Sequence, residues 1–406
     1  MTAAAAPSPI RRNITLLALS QAFFMSVQTM GIATTPLATH AILGPDKSLA
    51  TMPIFLVHVG IMLSTFPASF LMARIGRRGG FTVGALAGVL SGFTSIAGVY
   101  QQSFTLMCVG ALLQGVAAAF AWYFRFAAAD SADAAWRPKA ISLVLLGGVL
   151  AGFIGPQTAK WAVDLFHPVI FAGVYLMIAV YSLVVMVLVQ GIRIPPLTTA
   201  QKAEGARPLA VIVRQPTYIA ALVSSMFGYA VMTLVMSATP LAMLACGFQF
   251  GDSATVIQGH VIAMFLPSFF TGHLITRFGV LPVIATGAVI QMLCAVVNLG
   301  GIDFMNFFVA NVLVGLGWNF TYVGGSTLLT QCYRPAERAK VQASHDFVVY
   351  ATTATAAGLS GVLQAQAGWQ LVNIAALPMM AFVIVAVTWL SVVNRRAAER
   401  AVRPAE

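Results

Sequence analysis

Long apolar stretches alternate with short polar segments along the whole chain. Twelve apolar stretches lie near residues 14–38, 52–73, 81–100, 104–127, 141–163, 169–190, 217–241, 255–276, 281–300, 304–330, 342–363 and 370–393. A helix of about 20 residues crosses the roughly 30 Å hydrocarbon core of a bilayer. Only helices or closed barrels satisfy their backbone hydrogen bonds there, and these stretches are too long for barrel strands. The pattern therefore predicts an all-α integral membrane protein with 12 transmembrane helices.

Three short motifs of the first half recur in the second half, in the same order. Thr35-Pro36-Leu37-Ala38 recurs as Thr239-Pro240-Leu241-Ala242, 204 residues later. His58-Val59-x-x-Met62 recurs as His260-Val261-x-x-Met264, and Leu71-x-x-Arg74-x-Gly76 recurs as Leu274-x-x-Arg277-x-Gly279, 202 and 203 residues later. Half of the 406 residues is 203, so the repeats indicate a duplicated unit of six helices. Many secondary transporters have duplicated halves with the binding site between them.

The predicted organisation follows from this duplication and from one long polar interruption. We expect two pseudo-symmetric six-helix bundles at residues 1–192 and 217–394, a cytoplasmic linker at 193–216 and a cytoplasmic tail at 395–406. The linker is basic and carries Pro195, Pro196 and Pro208. Arg11 and Arg12 precede a full-length apolar stretch, which is not the pattern of a cleavable signal peptide.

The distribution of charge decides the orientation. Charged residues make up 8% of the chain, against about 25% in a soluble domain. The net charge of +11 would suit nucleic-acid binding, but 19 of the 22 basic residues fall in segments on one predicted side, all except Lys47, Lys160 and Arg125. This asymmetry predicts cytoplasmic termini, a multi-pass protein of the bacterial inner membrane and no nucleic-acid partner. The four cysteines are widely spaced, so no metal and no cofactor is expected.

The segment between the second and third spans resembles the cytoplasmic signature of the major facilitator superfamily, G-x-L-x-D-R-x-G-R-R. The match is good from Arg74 to Arg78 and departs at Ser69 and Ala73, where the family has glycine and aspartate. The resemblance implies that Arg74, Gly76, Arg77 and Arg78 gate the cytoplasmic side by stabilising an outward-open state. The missing acid at Ala73 predicts a weaker gate. The alternative is that these arginines only enforce topology.

Two further elements extend this resemblance. Gly147-Gly148-x-x-x-Gly152-x-x-Gly155-Pro156 in the fifth span is similar to the family's G-x-x-x-G-P element, which the family associates with antiporters. It implies that Gly155 and Pro156 allow a close helix approach and a bend, and it favours export over uptake. Strings at the ends of the fourth and tenth spans, Phe120–Asp130 and Gly315–Gly325, resemble a bacterial branch of drug- and metabolite-proton antiporters and vitamin permeases.

Polar and aromatic side chains on spans one, four, seven and ten are the candidate substrate ligands, since these spans line the cavity in the family. They are Gln21, Gln28, Gln114, Trp122, Arg125, Tyr229, Trp318, Asn319 and Tyr322. Arg125 is prominent because a charge inside the bilayer is costly, and it shares a helix face with Gln114. Snorkelling or an ion pair is the alternative for Arg125, and helix packing is the alternative for the aromatic residues. Amide and aromatic groups together suit a planar, hydrogen-bonding solute.

Proton coupling requires a titratable group whose pKa can be moved by its surroundings. The candidates are Asp130, His345 and Asp346, and we prefer an Arg125 ion pair that exchanges between Asp346 and Asp130 on protonation. His345-Asp346 at a helix start is the structural alternative. His58 and His260 are open to the same structural explanation, and facilitated diffusion also stays open.

The sequence therefore predicts a secondary transporter that moves a small organic solute by alternating access with proton coupling. A vitamin-like heteroaromatic such as riboflavin is the preferred cargo, because the permeases of the resembling branch carry it. The alternatives are a drug or metabolite efflux antiporter, a facilitator, a lipid flippase and a sensor that does not transport. The chain lacks the motifs H-E-x-x-H, G-x-S-x-G and G-x-x-x-x-G-K-[ST], so we predict no enzyme activity. We expect a monomer whose partners are the solute, protons and the lipid bilayer.

Overall fold

The computed structural model describes residues 9–124, 127, 128, 131, 137–194, 207–334 and 337–402, and its regular structure there is helical. The helices are α1 (Pro9–Ile42), α2 (Met52–Tyr100), α3 (Phe104–Ala121), α4 (Arg137–Ala162), α5 (Ala172–Gln190), α6 (Leu209–Ile212), α7 (Pro216–Ala245), α8 (Phe250–Phe265), α9 (Ser268–Phe278), α10 (Val280–Leu299), α11 (Phe304–Thr330) and α12 (Arg338–Val402). Within these residues, nine segments are long and apolar enough to cross a membrane, or ten when α8 and α9, bent by 42°, count as one span.

Two of the helices each contain two spans. The apolar segment Lys340–Ala397 of α12 has 58 residues, which corresponds to roughly 90 Å of helix. This is about three times the thickness of the hydrocarbon core, and α12 accordingly breaks at Gly368. α2 breaks in the same way at Gly76. With these breaks, and with α4 of 26 residues as a further span, the described helices give the predicted twelve-span membrane fold.

The repeated L-x-x-R-x-G motif forms the same turn in both halves. Gly76 has φ 81° and ψ 165°, and Gly279, between α9 and α10, has φ 87° and ψ 159°. Glycine adopts this region readily, whereas a Cβ would be strained there. The equal backbone geometry, 203 residues apart, shows that the sequence repeat is a structural repeat.

Helix packing has the same two-fold character. α1 packs against α4 and α5, and α2 against α3 and α5, in one bundle. α7 packs against α11 and α12, and α10 against α11, in the other. Between the bundles α2 contacts α12 and α4 contacts α8, two pairings that the duplication makes equivalent. This architecture confirms two pseudo-symmetric bundles, while their exact boundaries stay predictions.

The bundles are joined at the face that we call the opposite face, which carries the segments 43–51, 163–171 and 246–249. The other face, at which α1 begins and α12 ends, we call the terminal face. At the opposite face Lys160 Nζ of α4 donates to Thr255 Oγ1 of α8 at 2.7 Å. On the equivalent helix pair, the Gly361 backbone N–H of α12 donates to Thr51 Oγ1, before α2, at 2.9 Å.

Packing decreases towards the terminal face. Eight of the 16 residues of α8 are buried, whereas Thr271 is the buried residue of the 11 in α9, which continues the same span towards the terminal face. Together with the hydrogen bonds between the bundles, this difference shows a conformation that is closed at the opposite face.

The two described ends of the linker are bound to different bundles. Asn13 Nδ2 of α1 donates to the Arg193 carbonyl at 2.7 Å, and Arg193 N–H donates back to Asn13 Oδ1 at 3.0 Å. Arg207 Nη2 donates to Glu337 Oε2 of the second bundle at 2.7 Å. The hydrogen bonds from the Arg207 side chain hold the pKa of the Glu337 carboxyl well below its usual range, so the carboxylate stays ionised at neutral pH.

Candidate substrate site

A cavity lies between the bundles, beneath the closed opposite face. It encloses about 990 Å³ of empty space, including the part that is open to solvent. The first bundle contributes Gln28, Thr29, His58, Ser91, Ser95, Gln114, Trp122 and Tyr175, among others, and the second contributes Tyr229, Met232, Thr233, Met236, Met264 and Phe265. The polar amides therefore come from the first bundle, whereas both bundles contribute aromatic and thioether groups.

The side that we call the amide wall is built by Gln28 on α1, Gln114 on α3 and Trp122 directly after α3. Gln114 Nε2 donates to Gln28 Oε1 at 3.1 Å. Gln114 Oε1 and Trp122 Nε1 are buried without a hydrogen-bond partner among the described residues. Leaving a buried polar group unpaired is costly, so a solute that reached these two atoms would gain a hydrogen bond at each.

The facing side, which we call the aromatic wall, is centred on Tyr229 of α7. The Tyr229 ring meets the rings of Trp318 at 5.5 Å, Tyr322 at 5.4 Å and Tyr350 at 6.0 Å, all edge to face. Trp318 and Tyr322 stack on each other at 5.0 Å. Of these four rings Tyr229 lines the cavity, and the other three hold it from behind in favourable edge-to-face geometry.

The repeated histidines have different surroundings. His58 Nδ1 lies 2.9 Å from the Ile54 carbonyl of its own helix, and its ring meets the Tyr229 ring edge to face at 6.5 Å. His260 Nδ1 lies 2.8 Å from the Asn311 carbonyl, and its side chain is fully buried inside the second bundle. A carbonyl accepts only from a protonated nitrogen, so His58 Nδ1 carries the proton and Nε2 is an acceptor. His58 thus lines the cavity and His260 does not. The sequence could not predict this difference, because the two histidines share the same motif.

The described part of the cavity wall is uncharged. None of the described lining residues is Asp, Glu, Lys or Arg. Ala111, at the position where the family usually has an arginine in the fourth span, lines the cavity. The described lining therefore suits a solute that is itself uncharged and offers both apolar and hydrogen-bonding surface.

The predicted substrate residues divide into three groups. Gln28, Gln114, Trp122 and Tyr229 line the cavity, and Trp318 and Tyr322 support Tyr229 from behind. Gln21 is buried where α1 meets Gly147 of α4 and is not part of the cavity lining. Arg125 lies outside the described residues, as does Asp130 among the predicted proton-coupling groups.

Asn319 lies behind the cavity and bridges the break between α8 and α9. Its Nδ2 donates to the Met264 carbonyl and to Ser268 Oγ, both at 2.7 Å. Its Oδ1 accepts from Thr271 Oγ1 at 2.7 Å. Pro267 has no N–H and interrupts the helix there, and Asn319 supplies hydrogen bonds across the interruption. The described contacts thus give this residue a structural role.

The predicted coupling pair lies in α12, in the part nearer the terminal face. His345 Nδ1 and Asp346 Oδ1 are 3.0 Å apart. The His345 side chain is 1% exposed and that of Asp346 is 24% exposed. The two side chains are in contact with each other and do not belong to the cavity lining.

The predicted gating residues lie at two places. Arg74 and Arg78 are at the terminal face, where the Arg74 guanidinium lies 4.1 Å from the Phe70 ring and Arg78 Nε donates to Gln190 Oε1 at 3.1 Å. Arg77 lies over the Tyr123 ring at 5.5 Å, and Gly76 forms the turn between them. Gly155, followed by Pro156, packs closely against Ser26 and Thr29 of α1.

Comparison with known proteins identifies the family. The sequence model of the Major Facilitator Superfamily matches residues 17–265 and 222–406. The chain belongs to the major facilitator superfamily. It is a multi-pass membrane transporter of a small molecule, as its apolar helices and the cavity between its bundles indicate.

Relatives within the superfamily match over nearly their whole length. The riboflavin transporter RfnT of Brucella anthropi is 38% identical over 377 residues, which cover 92% of this chain and 94% of that protein. The uncharacterized MFS-type transporter YddS of Bacillus subtilis is 26% identical over 396 residues, covering 93% and 91%. These matches confirm the predicted resemblance to riboflavin permeases.

Solved superfamily structures share the fold. The POT family transporter PepTSo gives a TM-score of 0.73 at 12% identity, covering 95% of this chain and 98% of that chain. FucP in the outward conformation gives 0.63 at 15% identity, covering 93% and 98%.

The structural role of Asn319 predicts a loss of stability. Asn319→Leu removes three hydrogen bonds, each worth roughly 0.6 kcal/mol in a membrane helix bundle, or about 2 kcal/mol in total. Thermal unfolding of the detergent-purified protein should show a clearly lower melting temperature. Asn306→Leu on the same helix removes one bond, to the Val297 carbonyl, and should have a smaller effect. Equal shifts for the two variants would contradict this role.

Proposed function

We propose that this superfamily member transports a riboflavin-type solute, a planar and uncharged heteroaromatic ring system. The observation that carries the proposal is the described cavity lining, which contains no Asp, Glu, Lys or Arg and has an amide wall on one side and an aromatic wall on the other. The 38% identity to the Brucella anthropi riboflavin transporter, over almost the whole of both chains, supports the same cargo.

The two walls match the two kinds of surface on such a ring system. An isoalloxazine ring has flat apolar faces and one edge that carries carbonyl and N–H groups. Tyr229 offers an aromatic surface against which a ring face can pack. Gln114 Oε1 and Trp122 Nε1 offer an acceptor and a donor to the polar edge.

Alternating access around this cavity is the proposed mechanism. The distribution of basic residues favours a cytoplasmic terminal face in the bacterial inner membrane. The described conformation, closed at the opposite face, is then the inward-facing one, and rocking of the bundles would expose the cavity to the other side. We propose that one chain is sufficient, because both walls come from the same chain.

Proton coupling is proposed through Asp346. Its contact with His345 at 3.0 Å brings two ionisable side chains together within a membrane span. The proposed exchange of Arg125 between Asp346 and Asp130 involves two residues outside the described part of the chain.

Efflux of apolar drugs is the second candidate function. Met232, Met236 and Met264 line the cavity, and flexible thioether side chains adapt to solutes of varied shape. Competition experiments separate the two functions. A transporter of one vitamin-like solute should be inhibited only by close analogues of that solute, whereas a drug exporter should be inhibited by many apolar compounds.

Riboflavin uptake tests the proposed cargo. Proteoliposomes that contain the protein should take up labelled riboflavin, and excess unlabelled riboflavin should compete while apolar drugs do not. Tyr229→Ala should reduce uptake about tenfold, because it removes an aromatic packing surface, and Tyr229→Phe should retain uptake. Trp161→Ala is the matched control, since this ring is 64% exposed and lies away from the cavity. Transport of a labelled apolar drug without riboflavin uptake would favour the efflux function.

Coupling is tested separately from cargo. Asp346→Asn removes a titratable group while nearly preserving its shape, so it should abolish accumulation against a gradient and leave exchange of internal for external solute intact. The measurement compares both rates in proteoliposomes with an imposed proton gradient. Accumulation that survives both Asp346→Asn and Asp130→Asn would show that these acids do not couple transport to protons.

A further inference from the structure

We infer that the Gln114 carboxamide determines specificity by pairing with an adjacent N–H and carbonyl on the edge of the solute, as a cyclic imide or amide presents them. This inference rests on the proposed function and assigns one contact within it. It begins with the unpaired Gln114 Oε1, in a side chain that is 8% exposed and lines the cavity.

The bond to Gln28 fixes which atoms of Gln114 remain available. A carboxamide has two N–H donors and one acceptor oxygen. Gln114 Nε2 donates one N–H to Gln28 Oε1 at 3.1 Å. We assign to this bond the N–H anti to the oxygen, which leaves the oxygen and the syn N–H side by side on a planar group whose orientation Gln28 helps to hold. Gln28 is therefore a positioning residue for this contact.

The chemistry of the remaining pair selects its partner. An acceptor beside a donor is complementary to a donor beside an acceptor, and such paired contacts of Gln with a heterocyclic edge are common in base recognition. The isoalloxazine N3–H flanked by its C4 carbonyl has this arrangement. A solute that lacks the N–H would leave Gln114 Oε1 buried and unpaired, which disfavours its binding.

The surroundings make this contact selective. The described cavity lining contains no charged side chain that would accept the N–H in place of Gln114. Ala111, one turn before Gln114 on the same wall, has no polar side-chain atom. Uncharged acceptors such as His58 Nε2 and Ser91 Oγ line other parts of the wall, and we assign discrimination at this edge to the Gln114 carboxamide.

The test compares riboflavin with its N3-methyl derivative, which lacks the N–H. Binding to detergent-purified full-length protein is measured by quenching of flavin fluorescence. The wild-type protein should prefer riboflavin by about tenfold or more, the range of a paired contact with a heterocyclic edge. Gln114→Met, which conserves side-chain length and volume, should remove most of this preference. Gln114→Leu serves as a second variant of similar size.

The control separates recognition from damage to the fold. Gln291 is a fully buried glutamine of α10 whose Nε2 donates to the Gly228 carbonyl at 3.0 Å, and it does not belong to the cavity lining. Gln291→Met should keep the wild-type preference even if it lowers stability. Gln28→Leu removes the acceptor that orients the Gln114 side chain, so it should weaken the preference for riboflavin. Gln28→Glu keeps an acceptor for Gln114 Nε2 and should retain more of that preference.

The outcomes distinguish this inference from the function on which it rests. Equal binding of the two flavins by the wild-type protein overturns the inference and leaves the proposed cargo in place. A preference that persists in Gln114→Met and Gln114→Leu also overturns it, since the preference would then come from exclusion of the methyl group by shape. No binding of riboflavin by the wild-type protein overturns the proposed cargo and the inference with it.

Discussion

The close approach of helices from different bundles at the opposite face is the constraint on which the cavity depends. A methyl group on Gly152 of α4 would come within 2.9 Å of Ile262 on α8, and one on Gly361 of α12 within 2.5 Å of Thr51. Helices therefore pack closely there because these positions lack side chains, as small residues allow in membrane bundles. The hydrogen bonds of Lys160 and of the Gly361 N–H form across these contacts. The closed face, and with it the depth of the cavity, follows from this packing.

Within this symmetric frame the cavity is chemically asymmetric. α3 and α11 are related by the duplication, yet α3 contributes Gln114 to the cavity while α11 contributes Trp318 and Tyr322 to the support of Tyr229. An uncharged solute placed between the walls would meet hydrogen-bonding groups on one side and packing surface on the other. Such a site fixes the orientation of a planar ring, since only one edge can satisfy the amide wall.

Much of the fold could be predicted from the sequence, but only part of the site. The length of each apolar stretch predicts a spanning helix, because a segment that crosses the bilayer must match its thickness and satisfy its own backbone hydrogen bonds. The spacing of the repeated motifs predicts the duplication. The equal turns at Gly76 and Gly279 bear this out. The roles of Gln114 and Asn319 could not be separated in this way, since both are amides on equivalent helices. The distinction arises from Pro267, whose interruption of the eighth span recruits Asn319. The repeated histidines differ as well, since His58 lines the cavity and His260 does not.

The most direct test of alternating access is to lock the closed face. Gln157 Nε2 of α4 donates to Gln258 Oε1 of α8 at 2.9 Å, so Gln157→Cys with Gln258→Cys, after replacement of the four native cysteines, should be linked by a short bis-maleimide. The linked protein should lose riboflavin uptake because its bundles can no longer part at that face. A pair within one bundle, at Thr158 and Tyr181, whose hydroxyl oxygens are 2.7 Å apart, should link without this loss. Full transport by the protein linked between residues 157 and 258 would contradict the mechanism.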